Sequence, residues 1–169
     1  MTRSALGRVV AALIAMAFVV GGGFVASSAG ATAGQPTKAE SALAGFLIVS
    51  RMNGLCLEVR GDNVGDGGAV AMLGCTGRNN QRWSRSGSQY RNDHSGKCLD
   101  LNSNNGATGA GLNQWTCGDI PAQRWTFTGS EFRNQNNKCL TVPAGNRWDG
   151  AAVVMWDCVG AADQQWQIG

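Results

Sequence analysis

The chain has one histidine, His94, and no Cys-x-x-Cys pair, although it holds six cysteines. Zinc centres draw on clustered thiols and imidazoles, so a metal site has neither the ligands nor the spacing it needs. His94 lies in the turn Asp93-His94-Ser95-Gly96 just before an alternating run. A nucleophile relay would need the imidazole held between a Ser or Cys and an orienting carboxylate. Asp93 and Ser95 adjoin it in sequence, but a turn ahead of a strand reads as a solvent-facing position. Asp62 and Asp66, in the glycine-rich stretch Gly61 to Gly68, miss the alternate-residue pattern of a calcium loop and read as hairpin turn residues. No cofactor is implied. Helical periodicity is equally scarce, since no window beyond the N-terminus sustains a 3.6-residue apolar repeat. The single long apolar run, Val9 to Val20, is 12 residues and stops at Gly21-Gly22-Gly23. A membrane span requires roughly 20 such residues.

That run, preceded by Arg3 and Arg8 and followed by the small-x-small triplet Ala31-Thr32-Ala33, reads as a secretory signal peptide over residues 1–33. Its removal takes two of the 14 cationic residues and none of the 11 acidic ones, which leaves a mature net charge of +1. A near-neutral surface makes no electrostatic case for nucleic acid or an anionic membrane as partner. Residues 34–43 are polar and aperiodic, as expected of a flexible leader. The remainder, 44–169, fits one domain with no room for a separate catalytic module.

Within it one skeleton recurs three times. Cys56-Leu57-Glu58-Val59, Cys98-Leu99-Asp100-Leu101 and Cys139-Leu140-Thr141-Val142 are each followed 19 positions on by Cys75, Cys117 and Cys158. Trp83, Trp125 and Trp166 come 8 positions after those, and Gly67, Gly109 and Gly150 come 8 positions before them. The Trp steps by 42 and then 41 residues, which divides the domain into repeats of about 44–88, 89–129 and 130–169. A fixed period of this size marks supersecondary units that share one core. Six cysteines allow 15 pairings, and the sequence alone does not choose among them. If the units share a shape, the simplest solution joins Cys56–Cys75, Cys98–Cys117 and Cys139–Cys158, in a secreted chain where disulfides persist.

Inside a repeat, short alternating runs are broken by turn residues. Cys98 to Leu101, Leu112 to Cys117 and Trp125 to Phe127 read as strands, with the bend Asn102 to Gly106 between the first two. The class is all-β, with about four strands per repeat. Trp83, Trp125 and Trp166, each closing a repeat at the same phase, are expected in the core and converging on a pseudo-threefold axis. The Gln two positions earlier is expected on the same strand face, its amide satisfying backbone groups.

These features together resemble the ricin-type β-trefoil lectins, including the family-thirteen carbohydrate-binding modules. The resemblance spans the whole mature domain. It implies a β-trefoil of twelve strands, a six-stranded barrel closed by three hairpins, with a disulfide inside each repeat. It also implies a sugar site on each repeat: an Asp two positions after the first Cys, a polar residue and an aromatic four and two before the second Cys, and an Asn preceding the Gln of Gln-x-Trp. A carboxylate accepts from two neighbouring hydroxyls, an amide donates and accepts, and an aromatic face covers the C–H face of the pyranose.

Carried onto this sequence, the repeats are unequal. The second has Asp100, Asn113 and Trp115, with Ala122 in place of the Asn and Gln123 behind. The first keeps Asn80 but has Glu58, Ala71 and Leu73. The third has Trp156 and Asp163 but Thr141 and Val154. Asn113 and Trp115 should share a face opposite Leu112, which should point inward. His94 is a solvent-facing turn residue or a loop contact to sugar. Trp148, between Arg147 and Asp149, extends a binding surface or caps its hairpin. A shallow lobe is not expected to raise an acid's pKa, so catalysis is not expected. By analogy with the family, the partner is a galactose- or xylose-type sugar or polysaccharide. The alternative is a secreted β-trefoil that binds or inhibits a protein, its sugar sites eroded.

Overall fold

The structure is a computed structural model that describes residues 45–169. The expected signal segment and leader lie outside the described residues. Four strands fall in each repeat: β1 (Phe46–Ser50), β2 (Cys56–Val59), β3 (Gly68–Leu73) and β4 (Arg82–Ser86) in the first, β5 (Gln89–Asn92), β6 (Cys98–Leu101), β7 (Leu112–Trp115) and β8 (Trp125–Phe127) in the second, and β9 (Phe132–Asn134), β10 (Lys138–Thr141), β11 (Val154–Asp157) and β12 (Trp166–Ile168) in the third. No helix among the described residues is long and apolar enough to cross a membrane.

The first and last strands of each repeat build a ring. β12 pairs with β1, β1 with β4, β4 with β5, and β8 with β9. Single backbone bonds from Trp125 N to Ser88 O (2.8 Å) and from Trp166 N to Ser130 O (2.7 Å) join the remaining neighbours. The inner strands form the hairpins β2–β3, β6–β7 and β10–β11. This is a β-trefoil.

Alternation explains why each strand lies as it does. Leu57, Leu99 and Leu140, with Val59, Leu101 and Val142, are all fully buried. Trp83, Trp125 and Trp166 are at most 1% exposed, and each indole Nε1 donates to the carbonyl of Leu57, Leu99 or Leu140 at 3.0 Å. The indoles are buried as expected, but ring contacts between repeats run elsewhere. Tyr90 stacks edge-on against Phe132 (centroids 5.0 Å) and Phe46 (6.1 Å), and no pair among the described aromatic contacts joins two of the three indoles. Ile48, Tyr90 and Phe132, one from each repeat at equivalent positions and all fully buried, join the three indoles in one core.

The disulfides are Cys56–Cys75, Cys98–Cys117 and Cys139–Cys158, each with Cα atoms 5.1 Å apart. Each closes its own repeat and, under the chain-entropy model, contributes about 3 kcal/mol. The Gln residues differ from expectation. Gln81, Gln123 and Gln164 end the single 3-10 turns Asn79–Gln81, Pro121–Gln123 and Ala162–Gln164 instead of lying on the following strand. A 3-10 turn swings the amide inward, where it serves backbone groups as expected and, in addition, reaches strand side chains.

Candidate functional site

Asp100 on β6 and Asn113 on β7 are directly opposite in the hairpin ladder. Asn113 and Trp115 share the outer face of β7, while Leu112 and Gln114 turn inward and are buried. The three sequence-expected residues Asp100, Asn113 and Trp115 therefore line one cleft, a cavity of about 330 Å³. Its wall also includes the 3-10 turn Asn102–Asn104, Ile120 and Ala122. Trp115 is 46% exposed, its ring available at the mouth. Ala122, where the family pattern has Asn, leaves the far wall apolar beside Ile120.

Gln123 lies behind this cleft. It is fully buried, and its Nε2 donates to Asp100 Oδ2 at 2.9 Å and to Thr116 O at 3.0 Å. Its Oε1 accepts from Gly118 N and Gln89 Nε2. It reaches the cleft only through Asp100, whose carboxylate it holds by one oxygen. Asn113 Oδ1 is buried and has no hydrogen-bond partner among the described residues. A buried amide oxygen without a partner is costly, and a ligand donor would satisfy it.

Burial pushes the Asp100 carboxyl above the usual carboxylate range. The Gln123 hydrogen bond opposes this, and the negative charge of Asp66 adds to it. The expectation that a shallow lobe cannot raise an acid's pKa is therefore not met, because 95% of Asp100 is withdrawn from water by the hairpin it sits on. Among the residues lining the cleft there is no second carboxylate.

The other repeats hold smaller clefts at equivalent places. In the first, Glu58, Leu73, Arg78 and Asn80 line about 190 Å³, and Gln81 Nε2 donates to Glu58 Oε2 at 3.0 Å. Asn80 Oδ1, like that of Asn113, is buried and has no hydrogen-bond partner among the described residues. In the third, Thr141, Trp156, Asp163 and Gln164 line about 250 Å³, and Gln164 Nε2 donates to Thr141 Oγ1 at 3.1 Å. Each Gln-x-Trp glutamine thus holds the residue two positions after the first Cys, whatever that residue is. His94 is exposed at the seam with the first repeat, its Nε2 3.3 Å from Asp62 O, and does not line the second cleft. Trp148 is 79% exposed on a loop pinned to the first repeat by Arg147 Nη1 to Met52 O (2.7 Å) and Gly74 N to Asp149 Oδ1 (3.0 Å).

Sequence reasoning missed Ile120 and the Asn102–Asn104 wall. Ser103 and Asn104 adopt φ of 56° and 51°, and Gly61-Asp62 and Ala144-Gly145 do the same at equivalent positions. Left-handed pairs of this kind fold the strand exit back over the cleft, and only the glycines signal it in sequence.

A β-trefoil whose second repeat presents a carboxylate, an amide and an exposed indole on an outward-facing hairpin resembles the lectin class. The pattern of the ricin-type β-trefoil lectin domain matches residues 44–168, and the chain belongs to that family. Among solved structures it is similar to the designed threefold-symmetric protein ThreeFoil, with a TM-score of 0.68, 26% identity, and coverage of 73% of this chain and 96% of that one. It also resembles the C-terminal half of an earthworm R-type lectin in complex with GalNAc, with a TM-score of 0.63, 18% identity, and coverage of 73% and 95%. The agglutinin of Abrus precatorius matches with a TM-score of 0.65 and 21% identity over 73% of this chain and 47% of that chain. No curated protein matches the chain.

Proposed function

We propose that this is a secreted, non-catalytic carbohydrate-binding protein whose second repeat is the principal sugar site. The observation that carries this reading is the convergence of Asp100, Asn113 and Trp115 on one open cleft, with the carboxylate fixed from behind by Gln123 and the Asn113 Oδ1 left unpartnered. A pyranose laid on the exposed Trp115 face brings two neighbouring hydroxyls toward Asp100 and a third polar group toward Asn113. Galactose- and xylose-type residues, free or at polysaccharide ends, present that arrangement. Glycoside hydrolysis uses two carboxylates flanking the bond, and Asp100 has no carboxylate partner across the cleft. Secretion is supported by the Arg3/Arg8 segment with its apolar run and by three disulfides, which persist on the oxidising side of a membrane.

The test is a glycan array on the purified chain, followed by affinity-gel retardation of wild type, Asp100→Ala and Trp115→Ala. The reading expects retardation of wild type alone. Equal mobility of all three on every sugar would overturn it. A second reading, docking of a protein partner, is favoured by Trp148, which is exposed outside all three clefts. Capture of a protein that survives Trp115→Ala but is lost with Trp148→Ala would support it.

A further inference from the structure

Each cleft lies beside a seam where one repeat leans on the next, and the seams are built alike. Gly67 N donates to Gln114 O, Gly109 N to Met155 O, and Gly150 N to Met72 O, at 2.9, 2.7 and 2.7 Å. Gly67 and Gly109 both have positive φ, and a Cβ added to either would lie 3.8 or 4.0 Å from Cζ3 of Trp115 or Trp156. Each exposed indole therefore rests its edge on the preceding repeat's glycine.

Around that edge stands a polar triad. At the first seam Asp66 Oδ1 accepts from Thr116 N (2.7 Å) and Thr116 Oγ1 (3.0 Å), and Lys97 Nζ lies 2.8 Å from Asp66 Oδ1 and 3.1 Å from Thr116 Oγ1. At the second seam the acid and hydroxyl exchange places. Thr108 stands where Asp66 does and Asp157 where Thr116 does. Lys138 again donates to both, with Thr108 Oγ1 at 3.2 Å from its Nζ. At the third seam Leu55 replaces the lysine, Gly74 replaces the hydroxyl, and Leu73 replaces the indole. Asp149 keeps one backbone bond there, from Gly74 N. The full triad accompanies the two tryptophans and is absent where the tryptophan is absent.

We propose that Asp66, Lys97 and Thr116 form a clamp across the seam that fixes the Trp115 indole, so that the first repeat supplies a positioning residue, Asp66, to the second repeat's cleft. Thr108, Lys138 and Asp157 do the same for Trp156. Thr116 directly follows Trp115, so a carboxylate that grips both its N–H and its hydroxyl sets the backbone from which the indole projects. Lys97 directly precedes Cys98, which is opposite Trp115 in the ladder, and ties the first strand of the hairpin, β6, to the same carboxylate. The Lys97 ammonium, with the Thr116 donors, holds the Asp66 carboxyl below the usual carboxylate range, consistent with a clamp that is ionised wherever sugar binding would be measured. This inference rests on the proposed sugar site for its functional consequence, but not for its structural one.

The test uses the intact chain and the exchange seen between the two seams. Asp66→Thr removes the only acid, Thr116→Asp places two acids together, and Asp66→Thr with Thr116→Asp rebuilds the arrangement of the second seam. The ligand-free readout is the 15N heteronuclear NOE of the Trp115 indole, assigned through Trp115→Phe. It is expected to fall in both single variants and to return to the wild-type value in the double variant, with melting temperatures confirming that all are folded. With galactose, N-acetylgalactosamine and xylose as probes, each single variant is expected to bind about fivefold more weakly and the double variant to bind as wild type. Unchanged indole NOE in both single variants would overturn the clamp, whether or not any sugar binds. A wild type that binds none of the three sugars, while the NOE pattern holds, would sink the sugar reading and leave the clamp standing.

Discussion

At the proposed sugar site Asp100 meets two opposed demands. To accept hydrogen bonds from two sugar hydroxyls it must be ionised, whereas burial favours its neutral form and raises its pKa. Sugar affinity should therefore fall on acidification at a pH above that at which an ordinary carboxylate protonates. Stability should behave differently. A raised folded-state pKa means that Asp100 gives up stability as pH rises through it, so acidification favours the fold at this residue. Asp66 and Asp157 are the reverse: their folded pKa values are lowered, chiefly by Lys97 and Lys138. Their contribution is present above the ordinary carboxylate pKa and is lost as pH falls through the lowered one. Affinity and near-UV circular dichroism, followed over one pH series, should show binding lost before the fold; coincident loss would contradict this assignment. Tyr90 illustrates a different cost. Its hydroxyl is fully buried and has no hydrogen-bond partner among the described residues, and Ile48 and Phe132 serve at the equivalent positions without one. Tyr90→Phe should raise stability by about 1 kcal/mol, read as a shift in denaturant midpoint at constant m-value.

At the scale of the strand pair, each seam sets a small residue against a long one. Met155 N donates to Ala110 O and Met72 N to Ala151 O, whereas at the first seam Gly68 is opposite Gln114. The two departures explain one another. A Cβ on Gly68 would lie 2.8 Å from Gln114 Nε2, and that amide donates to Asn63 O and Gly65 O at 2.8 and 2.9 Å. Ser95 Oγ donates to Gln114 Oε1 at 2.5 Å. Gly68→Ala alone should cost about 1–3 kcal/mol through the clash. Gln114→Met alone should cost about 1–3 kcal/mol by leaving those groups unpaired. The double variant recreates the Ala–Met contact of the other seams, so a double-mutant cycle on urea unfolding should show a favourable coupling of about 1 kcal/mol or more. Simple additivity would mean that the two positions do not sense each other.

Across the whole molecule, what could be read from sequence was what the repeats share. The Cys, Leu and Trp positions, strands such as Cys98–Leu101 and Trp125–Phe127, and the outward face of Asn113 and Trp115 all follow from spacing and alternation. What the repeats do not share was hidden. Ile48, Tyr90 and Phe132 keep the repeat spacing but differ in identity, and a single 3-10 turn carrying Gln123 has no periodic signature. The Asp66 and Asp157 triads exchange residue types between seams, so comparison of aligned repeats cancels them. The same comparison makes the inequality of the clefts testable as a matter of valency. In the third repeat Trp156 is already in place, Gln164 already donates to residue 141, and Val154 faces Thr141 across the ladder as Asn113 faces Asp100. Thr141→Asp with Val154→Asn therefore installs the second repeat's set on a frame built to receive it, with Gln164 ready to hold the new carboxylate. Calorimetric titration with a monovalent sugar should count one additional site per chain. Retention on an immobilised polysaccharide should rise by about 10²-fold or more, since the second contact becomes intramolecular. A chain that gains the site yet not the retention would show that the two clefts cannot engage one polymer together.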